Sequence, residues 1–167
     1  HVLLALWPEI RRQVPDAELH IFYHMKRFIA AAKSSPNLGD ELTWRALIMD
    51  QLSNPLPAGT FDHGPLSRTA LAVWQCQTKV QAYPFFPVIW TEGFCTSILE
   101  SAAAGCWIVA RPDDALYEVH GDYVQWIESA LDTDDFRKRF IDAVVYALRS
   151  DVNPYAKAQQ RAVARYT

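Results

Sequence analysis

The chain has 167 residues, half of them apolar, 13% aromatic and 21% charged, the balance of a packed globular protein and not of a disordered or fibrous one. Sixteen Lys and Arg against nineteen Asp and Glu give a net charge of −3 with no basic stripe, which argues against nucleic acid or an anionic membrane surface as partner. No apolar run reaches the roughly 18 to 20 residues a bilayer span needs, and the three cysteines Cys76, Cys95 and Cys106, odd in number and in apolar surroundings, read as reduced core thiols of a cytoplasmic protein.

The chain opens without an initiator Met, inside what reads as a helix already under way, so a fragment of a larger protein is expected. Leu3, Trp7, Ile10 and Val14 recur at helical spacing, and Val14-Pro15 ends that helix. Glu18 to His24 reads as a strand, Ser34 to Gly39 as a loop, and Asp40 as the cap of a helix running to about Ser53. A short strand over 60–64, a helix capped by Ser67 and a strand over 80–84 come next. Beyond an aromatic and Pro-rich stretch, a helix is predicted from about Thr96 to Ala104, then a strand buried on both faces over 106–110. A short helix around 115–119, a strand around 123–127, a long helix capped by Asp132 or Asp134, and a last one opened by Asn153-Pro154 complete the chain. Strands alternating with helices predict an α/β fold, a parallel sheet with helices on both faces, over one domain spanning 1–167.

In an open parallel sheet the ligand lies beyond the carboxyl ends of the strands, which singles out three segments. His63-Gly64-Pro65-Leu66 follows a strand, and its Gly permits a turn that brings backbone close to a ligand; a plain strand-to-helix turn explains it equally well. Glu92-Gly93-Phe94-Cys95-Thr96 opens a helix whose free amides suit a phosphate, and Glu100 follows Glu92 by a little over two helical turns. Two carboxylates flanking an anion site are acceptors for the hydroxyls of a sugar; alternatively, Glu92 favours the helix dipole and Glu100 is a surface residue. The third segment, Arg111 to Glu118, reads equally as a solvated capping loop. The basic triplet Arg137-Lys138-Arg139 reads as a solvated helix face, Tyr83, Phe85, Phe86 and Trp90 as core or interface, and His20 and His24, without zinc partners at usable spacing, as structural.

Taken in order, Trp7-Pro8-Glu9-Ile10, Val14 to Ile21, His63-Gly64-Pro65-Leu66-Ser67, Tyr83-Pro84, the run Glu92 to Cys106 with its Glu-x7-Glu pattern, and Ala115 to Val119 with Gly121-Asp122 resemble the C-terminal domain of group 1, family four glycosyltransferases. The resemblance implies a Rossmann-like half of a GT-B fold and a retaining hexosyltransferase. It implies that Glu92 binds the donor hexose hydroxyls and is the catalytic position, that Glu100 binds the nucleotide ribose, and that Gly93, Phe94, Cys95 and Thr96 meet the sugar and diphosphate. His63, Gly64 and Leu66 would lie by the base. No metal and no cofactor beyond the nucleotide-sugar substrate is implied, and the partner is an N-terminal domain upstream of His1. The family's first strand with its Gly-rich turn, and its diphosphate-contacting Arg and Lys, are expected upstream, and both ends are expected to be cut. Asp114 stands where the family has Gly. That departure motivates the rival reading of a non-catalytic binding or scaffold module; half of a nucleotide-sugar epimerase is a second rival.

Overall fold

The computed structural model describes residues 1–34, 39–84, 94–113, 115–131 and 133–166, without the side chains of Asp40 and Glu41. They form an α/β structure of small parallel sheets and helices that divides into two compact units, His1–Ser67 and Arg68–Thr167.

The first unit runs α1 (Val2–Gln13), β1 (Leu19–Ile21), α2 (Met25–Ser34), α3 (Asp40–Leu52) and β2 (Thr60–Asp62). β1 and β2 pair in parallel with His20 opposite Phe61, and α2 and α3 form the crossover that a parallel pair requires. Leu4, Met25 and Ile29 form the unit's buried cluster, with Leu19, Ile21 and Met49 packed against it. α2 was not anticipated from the sequence, although Met25, Ile29 and Ala32 recur at helical spacing and are all buried. The start of α3 also differs from expectation. Its N-cap is Gly39, in the left-handed region at φ 76°, and no side chain caps it.

Two arginines near the end of α1 have different tasks. Arg12 donates from Nε and Nη2 to the Glu9 carboxylate at 2.8 and 2.6 Å, and with a third bond from Gln13 this holds Glu9 down to about 2 from its ordinary 4.5. A depressed carboxylate contributes stability above its unfolded pKa and loses it on acidification, here between pH 4.5 and 2. The pair is exposed and its contribution small, so the titration itself is the test. The Glu9 carboxyl resonance should titrate near 2, and closer to 4.5 in Arg12→Gln, where the Gln13 bond remains. Arg11 turns instead toward the β2 turn. Its Nε donates to the Pro15 carbonyl, and its guanidinium fills the space beside Gly59, which has φ +72°.

The second unit runs α4 (Arg68–Gln77), β3 (Val80–Tyr83), α5 (Thr96–Ala103), β4 (Trp107–Ala110), α6 (Leu116–His120), a 3-10 turn over 121–123, β5 (Gln125–Trp126), α7 (Asp134–Arg149) and α8 (Ala156–Val163). Its sheet is parallel, ordered β3-β4-β5, with Val80 opposite Trp107 and Ala110 opposite Trp126. Every residue of β4 is buried, as expected of an apolar run in a parallel sheet. Ile108 and Ala110 join a core cluster with Cys95, Ile98, Leu116, Tyr123 and Ala162, while Trp107 packs edge-on against Tyr146 of α7.

The apolar positions that recur at helical spacing along α7, Phe136, Phe140, Ile141, Val144 and Val145, are buried, and Leu148 is half-buried. Its cap is neither Asp132 nor Asp134 but Thr133, whose Oγ1 accepts from the Phe136 amide at 3.1 Å; Asp134 and Asp135 occupy the first turn, where carboxylates suit the dipole. Arg137, Lys138 and Arg139 are exposed, and Arg139 lies 3.7 Å from Asp135, so the triplet is the solvated face expected of it. α4 buries no residue completely, and Ala70, Leu71 and Trp74 are half-buried on its inner side.

The cysteines are all free, but only Cys95 and Cys106 are core thiols; Cys76 is exposed, because α4 buries no residue completely. Burial pushes the Cys106 thiol up to about 11, and its Sγ donates to the Gln75 and Thr78 carbonyls at 3.3 Å. Since the thiolate is the reactive form, iodoacetamide at pH 8 should alkylate Cys76 in the native protein, and Cys95 and Cys106 only after denaturation. Peptide mapping by mass spectrometry reads the order.

Candidate functional site

The carboxyl ends of β3, β4 and β5 lead to the start of α5, to Arg111 and to Ser129. α5 begins after an N-cap, Cys95, whose side chain makes no capping bond and instead meets the Ser97 hydroxyl at 3.0 Å. Ile98 N–H bonds back to the Cys95 carbonyl at 3.1 Å, but no described residue accepts from the amides of Thr96 and Ser97. A helix start with unpaired amides carries partial positive charge and accommodates an anion. Ile98 and Ala102 bury the inner face of the helix, Phe94 and Thr96 are exposed, and Glu100 lies on the outer face one turn further on.

Of the residues implicated by the sequence in this segment, Phe94, Cys95, Thr96 and Glu100 thus come together at one helix end. Glu92 and Gly93 lie outside the described residues, as do Phe85, Phe86, Trp90 and Asp114. Tyr83 packs against the core cluster. Arg111, at the head of the third segment singled out from the sequence, is a half-buried cation just past β4. Its Nη1 lies 2.7 Å from Asp113 and its Nε donates to the Ser129 carbonyl at 3.4 Å. It fastens the exits of β4 and β5 together, and Asp113 neutralises most of the charge it offers a ligand.

No family model matches the chain, and no curated protein aligns with it significantly. Among the described residues no helix is long and apolar enough to cross a membrane, and no three His, Cys, Asp or Glu side chains are grouped to hold a metal ion.

The remaining candidates belong to the first unit. His63, Gly64 and Leu66 follow β2, where the His63 amide donates to the Ile21 carbonyl at 2.9 Å and extends the strand pairing by one bond. Gly64 sits at φ +64° and donates to Asp62 Oδ1 at 3.1 Å, so the turn uses the left-handed conformation that favours glycine. Leu66 is exposed. What the sequence did not reveal is His63's partner. His63 Nε2 lies 2.9 Å from His20 Nδ1, and His20 Nε2 lies 3.2 Å from Glu18 Oε2. Phe61 stacks on His20, and Phe22 on His63. Alternation along two parallel strands puts these four rings on one sheet face, opposite Leu19 and Ile21. His20 is therefore structural, as expected, but its partner is 43 residues away, beyond the reach of any local spacing rule.

His120 is a second residue that the sequence did not single out. It ends α6 fully buried, with Nδ1 hydrogen-bonded to the Tyr123 hydroxyl. Phe94, an exposed ring, packs on it and on the exposed ring of Tyr166, and Arg165 and Tyr166 share a cleft of about 360 Å³ with Glu118, Asp122 and Tyr123.

Proposed function

We propose that this chain is the donor-binding domain of a retaining glycosyltransferase, a Rossmann-like half of a GT-B fold that holds a nucleotide diphospho-hexose beyond its strand ends. The observation that carries the reading is the uncapped start of α5, with Glu100 one turn inside it and the Glu-x7-Glu sequence running through it. In this reading the Thr96 and Ser97 amides donate to the diphosphate. Glu100 accepts the ribose hydroxyls, and Glu92 accepts those of the hexose. As the glycosidic bond breaks, negative charge grows on the leaving diphosphate, and fixed amides at a helix end stabilise it with little reorganisation. The hexose passes to an acceptor held by a separate domain, which supplies the opposed geometry that transfer needs.

The test is a thermal-shift and calorimetric panel of UDP-, GDP- and ADP-hexoses on this chain. One nucleotide should raise the melting temperature by mass action, with the effect growing with concentration. Glu100→Gln should weaken that ligand by about 10- to 100-fold, the scale of a charge-assisted hydrogen bond, and in the complete enzyme Glu92→Gln should lower turnover. A panel without any stabilising nucleotide, or a Glu100→Gln variant that binds as well as the parent, counts against the reading.

A further inference from the structure

Under Phe94 lies a buried nitrogen that no described residue satisfies. His120 is completely inaccessible, Tyr123 holds its Nδ1, and its Nε2 has no hydrogen-bond partner among the described residues. Burial disfavours the charged imidazole and raises the Tyr123 phenol to about 12, so near neutral pH both groups are uncharged. When the Tyr123 hydroxyl donates to Nδ1, the imidazole proton sits on Nε2. That tautomer leaves an N–H donor in the interior with no acceptor among the described residues, and a fold seldom carries such a group unless something else satisfies it.

Its surroundings indicate what does. Phe94, the residue before the α5 N-cap, rests on the His120 ring and on the edge of Tyr166, with centroids 5.7 Å away in both cases. Phe94 is 39% exposed, so the ring resting on the imidazole itself reaches the surface. Arg165, beside Tyr166 at the end of α8, makes no ion pair among the described residues. Glu118 and Asp122 line the same cleft and disfavour a bare anion, but they accept hydroxyls.

We propose that His120 Nε2–H and the Arg165 guanidinium donate to phosphate oxygens of a sugar phosphate lying across the start of α5, with Glu118 and Asp122 facing its hydroxyls. This rests on the donor-binding reading of α5 and adds to it two donors outside the Glu-x7-Glu segment.

The experiment titrates the chain, labelled with ¹⁵N-histidine, with glucose 1-phosphate and follows the imidazole nitrogens by NMR. The Nε2–H tautomer of His120 is expected at neutral pH, with its resonances moving as ligand is added. His120→Leu removes an unsatisfied nitrogen but also strands the buried Tyr123 hydroxyl, so the variant should melt lower than the parent and bind glucose 1-phosphate about 10- to 100-fold more weakly at a temperature where both are folded. Arg165→Gln should weaken binding without moving the melting temperature. The His120 contact is refuted if glucose 1-phosphate fails to bind the parent, if it binds with Nε2 unmoved, or if His120→Leu binds it equally well. Should His120→Leu not fold, the titration of the parent decides. Nucleotide hexoses that bind parent and His120→Leu alike would leave the donor-binding reading standing without this contact. Glucose 1-phosphate bound through His120, with the whole nucleotide panel silent, would do the reverse.

Discussion

Phe140→Ala should lower the unfolding free energy by about 3 to 5 kcal/mol, the cost of removing a large aromatic ring from a site that cannot collapse around the gap. Phe140 is completely inaccessible and its ring centroid lies 5.4 Å from that of Phe136, also fully buried, so the truncation removes a contact as well as apolar area. The loss arises in the second unit, because α7 packs on β3 and β4. Urea unfolding of the parent and the variant gives the difference, and a change below about 1 kcal/mol would mean that α7 is not the anchored helix described above. Tyr146→Ala on the exposed side of the same helix is the control, since Tyr146 is 64% exposed and keeps only its edge-on contact with Trp107.

A loss of about 2 to 4 kcal/mol is expected of Gln159→Leu, through a different cause. Gln159 is buried on α8, its Nε2 donating to the Cys106 carbonyl at 2.8 Å and to the Tyr123 carbonyl at 3.4 Å, and its Oε1 accepting from Asn153 at 3.0 Å. Leu is close in volume but offers no donor, so two carbonyls in the interior are stranded at about 1 to 3 kcal/mol each while the apolar gain is small. The Tyr123 carbonyl belongs to the residue that orients His120, so the same substitution should also perturb the His120 imidazole resonances. A variant as stable as the parent would show that water replaces the amide.

How much of this was legible in the sequence depends on the distance over which each cause acts. The stripe of α7, the doubly buried β4 and the start of α5 at Thr96 come from periodicity and apolar runs within a few residues, and the structure has them where they were expected. Caps are ambiguous in sequence because neighbouring candidates compete: Thr133 lies between Asp132 and Asp134, and only geometry selects the oxygen that reaches the Phe136 amide. α2 has no boundary signal, because His24 and Met25 run on from an apolar strand without a Gly or Pro to mark the change. The predicted strand of 123–127 shrinks to Gln125–Trp126 because β5 pairs only with the last two residues of β4. In the candidate site the α5 segment was visible as a motif. His20 against His63, and the orphan nitrogen of His120, depend on contacts between distant segments and on what fails to touch, neither of which leaves a local pattern.

Gly59 and Arg11 have a bearing on how this chain can change over evolutionary time. A β-carbon at position 59 would stand 2.6 Å from Arg11 Nε, on a backbone whose φ of +72° already penalises one. The two penalties are separable, and only one of them is removed by changing Arg11. In a set of homologous sequences, position 11 is therefore free to drift to shorter side chains while glycine persists at 59. A non-glycine residue at 59 should be found only where position 11 has already shortened and the turn before β2 has changed length. The dependence has a direction, and the order of substitutions along a lineage, reconstructed from such a set, would display it.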